Sequence, residues 1–410
     1  MKIKSGGRME KERLRIVWLN KKDRSILYAK LSLMELAMSG EIDFIRTKSS
    51  SFDRHVLPQR AIDALSPALA FFVAYRGDQQ CRVILDTSES FFYMSSAIAD
   101  ADLYFFSAYS PEIFEEHRFL TPYPWQKQER YNLQGYRKHF ERIEREFGSY
   151  FDKIVRFIPY PVVMNLPARR FRRTKQLVIV LLLIDRFLKK HLPQLRFGPL
   201  DPEYLLLKMR YQQLVGYRLN PLNYDIAIRE SLWAWPWHRI LLYKALGNLS
   251  GKKIIASLSS QEADAPKAWW RHCIPEDEID AVVRLLQEKP EFPEPYEEMI
   301  TSSRLAVFPT GKHWGWRAIT FLSLISGGPI LMDRPKFEPY FPLDDFKIYY
   351  NESEWSDLAN ILNKVTSEQW NMIRKHNQAA FDKYLAPLPV GRYIYQTIQK
   401  WFDQNEGKQI

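Results

Sequence analysis

Short apolar runs separated by longer amphipathic stretches pattern this chain from one end to the other. LRIVWLN reads as a buried parallel strand, and SILYAKLSLMELAMSG as a helix that stops at Gly40. The same grammar repeats: IDFIRTK is strand-like, ALSPALAFFVAYRG helix-like, CRVILDTSES strand-like, and ADLYFFSAY and KIVRFIPYPV continue the series. From KKIIASLSS a second series begins, clearest from Ser303: strand SRLAVFPTG, helix WRAITFLSLISG, strands GPILMD and FKIYY, then helices SEWSDLANILNKV, SEQWNMIRKHNQAAFDKYL and GRYIYQTIQKWF. Strands alternating with helices predict α/β sheets with parallel crossovers.

Between the two series, residues 166–248 are rich in Arg, Trp and Tyr, alternate weakly and contain SLWAWPWHR, so they read as an interdomain region. The expected plan is an N-terminal Rossmann-like domain over 1–165, the interdomain region 166–248, a second such domain over 249–390, and a last helix in 391–410 long enough to return to the first. Ligands of open α/β sheets bind outside the carboxyl ends of the strands, so function belongs in the cleft between the domains.

At 410 residues the chain exceeds one ordinary core, which agrees with two domains. The 59 Lys and Arg against 48 Asp and Glu give a net charge of +11, which favours anionic partners without choosing among nucleic acid, a membrane leaflet and phosphorylated small molecules. Charge is scattered and no zinc-finger, RNP-like or helix-turn-helix signature appears, which ranks nucleic-acid binding low. Cys81 and Cys273 are far apart and lack metal-ligand spacing, so a reducing, cytoplasmic compartment is expected. The basic N-terminus carries no signal-peptide core, and the longest aliphatic run is far short of a span. RRFRRTK, with Arg169, Arg170, Arg172 and Arg173, precedes the apolar LVIVLLLIDRFLKK. This suits a peripheral protein at the anionic inner-membrane surface, and equally a solvated turn before a buried helix.

The most informative stretch is YEEMITSSRLAVFPTGKHWGWRAITFLSLISGGPILMD, residues 296–333. Its strand ends at Phe308, which puts Pro309 to Trp316 on the carboxyl edge, and the helix that follows aims unpaired N–H groups at that edge. With Arg317, Lys312, Gly311 and Gly315 alongside, this is a site for a diphosphate.

An apolar strand ending F-P-x-G, an Arg a few residues on, and an apolar helix closing at Gly327-Gly328-Pro329 resemble the C-terminal domain of exostosin-like glycosyltransferases. The aromatic loop, strand, acidic turn and paired helices of PYFPLDDFKIYYNESEWSDLANILNKVTSEQWNMI extend the resemblance over 296–384. It implies a GT-B fold, with a nucleotide-sugar donor on the C-terminal domain, a saccharide or lipid-linked saccharide acceptor on the N-terminal one, and no bound metal or other cofactor. Arg317 would contact the donor phosphates, with Thr310, Gly311 and Lys312 forming the loop. The sequence departs from the family where an acidic residue usually follows the Arg, having Thr320 or Phe321 there, which leaves UDP-, GDP- and CMP-linked donors open. The resulting expectation is a metal-independent, inverting transferase of bacterial surface polysaccharide or lipopolysaccharide synthesis; a catalytically silent GT-B scaffold is the alternative.

Inverting transfer needs a base opposite the diphosphate. Asp86 and Glu89 follow the strand CRVIL at its carboxyl edge, and Asp53 and His55 lie in an earlier loop; Asp86 and Glu89 also suit capping of the next helix. Ser257 and Ser259 follow KKIIA and face the same diphosphate, as phosphate contacts or as plain loop. Asp100 and Asp102 invite a metal-binding Asp-x-Asp reading, but acidic residues at a helix-to-strand connection are ordinary turn formers. Trp233, Trp235 and Trp237 are candidates to stack on sugar rings, or core residues at the domain junction.

Overall fold

The computed structural model describes residues 13–406 apart from 21–24, 49–54, 57, 163, 165–174, 192–197, 261–267 and 289. The first sheet holds β1 (Leu14–Asn20), β2 (Ile42–Lys48), β3 (Leu69–Arg76), β4 (Gln79–Asp86), β5 (Leu103–Phe106) and β6 (Ile154–Arg156) in the order β2-β1-β3-β4-β5-β6. β1 and β2 are parallel, as are β4, β5 and β6, while β3 runs antiparallel to both of its neighbours. Helices α1 (Leu27–Met38), α2 (Gln59–Asp63), α3 (Pro111–Phe114) and α4 (Leu133–Phe147) accompany this sheet. β3 corrects the expectation of a helix over ALSPALAFFVAYRG. Its apolar run is buried almost throughout, so periodicity alone cannot separate strand from helix. Pairing of Arg76 with Gln79 across Gly77-Asp78, with Gly77 at φ +57°, instead makes a two-residue hairpin into β4.

Two helices, α5 (Lys175–His191) and α6 (Pro202–Gly216), pack on each other after the first sheet. Asp201 caps α6 by accepting from the backbone N–H of Glu203 and Tyr204. It also pairs with Arg46, and Glu203 pairs with Arg46 at 2.8 Å and Lys30 at 2.9 Å, a buried ionic cluster fixing α6 to β2 and α1.

The second series comprises β7 (Ile226–Ser231), α7 (Pro236–Gly247), β8 (Ile254–Ser259), α8 (Ile279–Gln287), α9 (Tyr296–Thr301), β9 (Ala306–Phe308), α10 (Ala318–Ser326), β10 (Ile330–Met332) and β11 (Ile348–Tyr350). β7 pairs in parallel with β8, and β9, β10 and β11 pair in parallel among themselves. A parallel bridge from Tyr224 to Ser303, with Arg304 N–H donating to Tyr224 O and Leu305 N–H to Asp225 O, joins the two groups. The result is one parallel array β8-β7-β9-β10-β11, a doubly wound 2-1-3-4-5 order. β7 and α7 fall inside residues 166–248, so that stretch is not wholly interdomain: the second sheet begins in it. Arg229 and Glu230 break the apolar pattern of β7 and hide it from a hydropathy reading.

After α11 (Leu358–Lys364) and α12 (Ser367–Tyr384), helix α13 (Pro387–Gln404) returns to the first sheet. Gly391 packs on the backbone of Ser32 in α1, Arg392 pairs with Glu41 at 2.8 Å, and Tyr393 OH donates to Arg156 O at 2.6 Å. Loops after β4, β5 and β6 touch the second unit: Glu89 meets Gly315, Glu338 N–H donates to Tyr109 O, and Tyr340 N–H to Phe157 O. Two Rossmann-like α/β units facing across a cleft, with a last helix crossing back, constitute a GT-B architecture.

Candidate functional site

In a 2-1-3-4-5 sheet the chain leaves in opposite directions from strands 1 and 3, which opens a crevice at their carboxyl ends. Here these are β7 and β9. β7 ends with buried Glu230, which accepts from Arg239 of α7 and Arg317 at the N-terminus of α10. Two cations converge on one carboxylate, so the local charge is positive even with Glu230 ionised. Lys312, in the loop after β9, lies with its ammonium 4.8 Å from the ring centre of Trp233, which is exposed in the loop after β7. Arg317 keeps a partly exposed side chain; Glu230 engages Nη1 of a group that carries five donors. A helix N-terminus, an arginine and a lysine thus share the crevice mouth, the chemistry that holds phosphate oxygens.

Glu89 meets this edge from the first unit. A Cβ on Gly315 would stand 1.9 Å from the Glu89 carbonyl oxygen, so the backbones of the two units touch there and only glycine fits. Burial pushes the Glu89 carboxyl above the ordinary range, and Lys312 and Arg317 pull it part of the way back. Next to it, His313 Nδ1 lies 3.0 Å from Ser90 Oγ; burial, reinforced by Lys312 and His139, pushes this imidazole down to about 3, so it is neutral at physiological pH.

The loops of this edge are held in costly conformations. Trp235, His313, Trp314, Glu354 and Trp355, which follow β7, β9 and β11, all have positive φ, each a strain of about 1–3 kcal/mol that packing must offset. A lattice of rings supplies the packing. Trp235 lies 5.3 Å from Trp314 and donates its indole N–H to Gly311 O at 2.9 Å; Trp314 donates to Gln126 Oε1 at 2.9 Å; Trp125 stacks on His238 at 3.8 Å. Trp235 is therefore core, Trp237 is half-buried beside Arg130 and Lys244, and Trp233 is the exposed member of the three.

The structure brings Glu89, Lys312 and Arg317 together, with Thr310 and Gly311 beside Arg317 and the remaining candidates apart from them. Asp86 is fully buried, accepts from Tyr104 OH and from Ser88 N–H at 2.8 Å, and so shapes the turn after β4 below the surface. His55 lies on an exposed turn before α2, and Asp53 is outside the described residues. Thr310 and Gly311 contribute backbone: Thr310 N–H donates to Asp333 at 2.7 Å, and their carbonyls accept from Arg239 and Trp235. Ser257 sits within β8, where its carbonyl accepts from Tyr243 OH, and the Ser259 hydroxyl donates to Glu230 O at 3.2 Å. Asp100 is paired with Arg60, and Asp102 with Arg82, both at the strand-end turn. Among the described residues no group of three or more His, Cys, Asp or Glu is placed to hold a metal ion. Arg169, Arg170, Arg172 and Arg173 lie outside the described residues.

Sequence reasoning missed Glu230 and Asp333. Asp333, just past β10, takes His238 Nε2 at 3.0 Å, Thr310 N–H at 2.7 Å and Asn351 Nδ2 at 2.8 Å, tying three edge loops together. Its only sequence signal is its place at the end of ILMD. The space enclosed by 308–311, Trp316, Arg317 and Asp333 is about 10 Å³, room for one water. Pro335 forms part of that wall and of a much larger cleft, about 720 Å³, between the loops after β10 and β11 and the first unit's 110–125 segment. Tyr123, Trp125, Arg334, Lys336 and Asn351 line it.

No family model and no curated protein matches the sequence. Among solved structures, Anabaena HepE in complex with UDP-glucose is similar at 11% identity, with 95% of this chain and 100% of that one covered and a TM-score of 0.37. Anabaena HepE with UDP and glucose gives 11%, 93%, 98% and 0.36. The Candida albicans trehalose-6-phosphate phosphatase N-terminal domain gives 11% and 0.30, over 50% of this chain and 46% of that one.

Proposed function

We propose that this chain is a glycosyltransferase that moves a sugar from a nucleotide-sugar donor to a saccharide or lipid-linked saccharide. The observation that carries the proposal is the meeting of Glu89, a carboxyl raised by burial, with Lys312, Arg317 and the N-terminus of α10 across the contact between the two units. A base on one side and diphosphate-binding groups on the other are what a direct displacement at an anomeric carbon requires. The acceptor hydroxyl oxygen attacks that carbon as the bond to the diphosphate oxygen breaks. Its proton passes to Glu89, and the charge growing on the diphosphate is met by Arg317 and Lys312. One displacement inverts the anomeric configuration. Fixed cations take the part that a divalent ion plays elsewhere, which supports a metal-independent reaction. Trp233 offers a flat apolar face for the nucleotide or sugar, and the 720 Å³ cleft has the size of a ligand site. A cytoplasmic pool of activated sugar and a lipid-linked acceptor at an anionic membrane surface would place the reaction in bacterial surface polysaccharide or lipopolysaccharide synthesis.

A silent scaffold is the second reading, favoured by the ion pair that already occupies part of Arg317 and by Thr320, buried in α10 where an acidic residue is usual in the family. Arg317→Ala separates the two. The transferase reading expects turnover to fall about 10²–10³-fold, the scale of losing one preorganised donor to a developing anion. Turnover close to wild type in a folded Arg317→Ala protein would sink it.

A further inference from the structure

Helix α5 turns its apolar side outward. Leu177, Ile179, Val180, Leu183, Ile184 and Phe187 are all exposed, Leu183 at 58% and Phe187 at 59%. At 100° per residue these six positions span an arc of about 160° on one side of a helix about 25 Å long. Leu181 lies just beyond one edge of this arc and is buried with Leu206 of α6, beside Leu205 and Met209. Leu181 thus seats the helix on α6 while the six exposed apolar side chains meet solvent. Exposed apolar patches of this kind mark an interaction surface.

The charge of the helix chooses the partner. α5 carries Lys175 at its start, Arg186, and Lys189 and Lys190 in its last turn, against one acid, Asp185. No helix of the described residues is long and apolar enough to cross a bilayer. An apolar helical face flanked at both ends by basic residues is the chemistry of a helix that lies in the interface, its apolar side chains among acyl chains and its cations at anionic headgroups. We propose that the α5 face inserts into the surface of an anionic phospholipid bilayer. The inference extends the lipid-linked acceptor reading, but it is tested without donor or acceptor, so its failure leaves the transferase assignment where it stands.

The test is flotation of the full chain with phosphatidylcholine vesicles, with and without phosphatidylglycerol, alongside Leu183→Ser and Phe187→Ser. Both side chains are exposed in the free protein, so unchanged Tm values are expected and would certify the fold. The wild type should float with phosphatidylglycerol vesicles, less so as salt rises, and each variant should bind about tenfold more weakly, the scale of burying one large apolar side chain. Absence of binding to anionic vesicles at low salt, or equal binding by wild type and variants, would overturn the proposal. So would a solution dimer that these substitutions dissociate, which would show that a second copy covers the face.

Discussion

Gly315 allows the backbones of the two units to approach as they do, because any side chain would occupy the place of the Glu89 carbonyl. That approach brings the Glu89 carboxyl under two opposing influences: burial raises it, and Lys312 and Arg317 lower it. A carboxyl base works only when ionised, so with a raised value the rate falls with acid at a pH above the usual carboxylate range. Lys312→Met removes one lowering influence, so the acid limb of kcat/KM should move to higher pH, while Glu89→Gln should abolish transfer. An unmoved acid limb in Lys312→Met would show that another group sets it. His313, held neutral beside Ser90, is not a candidate for the same limb. Much of this was legible residue by residue: FPTGKHWGWR announces a glycine-bearing, cationic loop at a strand end. Asp86 and Glu89 looked equivalent, because burial and the Tyr104 bond, which separate them, depend on partners distant in the chain.

At the scale of elements, propensity and periodicity located strands whose ends coincide with apolar runs, such as LRIVWLN and IDFIRTK. β3 and β7 were lost for opposite reasons. β3 is apolar at too many successive positions to show a period, and β7 carries two charged residues, of which Glu230 is tolerated in the interior because Arg239 and Arg317 neutralise it. α13 was legible as a long amphipathic helix returning to the first domain, but α1 as the element it packs on was not, since the close approach of the two helices at Gly391 is a contact between residues far apart in the chain. A Cβ at Gly391 would lie 2.4 Å from Ser32 O, a backbone atom that cannot swing aside. Gly391→Ala should therefore destabilise by about 1–3 kcal/mol despite the better helix propensity of alanine. A chemical denaturation midpoint equal to or above wild type would show that the two helices separate without cost.

Over the whole molecule, two sheets meet at their carboxyl edges, and the tryptophan lattice between them keeps the edge loops in conformations that would relax in isolation. The sequence announced two α/β series and the loop after β9. It could not announce that the loops after β7, β9, β10 and β11 are tied through Glu230 and Asp333, because each tie joins strands far apart in the chain. We propose that this crevice binds a nucleotide-sugar through Arg317 and Lys312 without a metal ion. A ligand that binds only the native state raises its melting temperature. The decisive measurement is the Tm of wild type, Lys312→Ala and Arg317→Ala in EDTA with UDP, GDP, CMP, TDP and ADP and their sugar conjugates. One nucleotide class should raise the wild-type Tm, and the rise should be lost in both variants. No rise with any nucleotide, or an equal rise in the variants, would contradict the proposal.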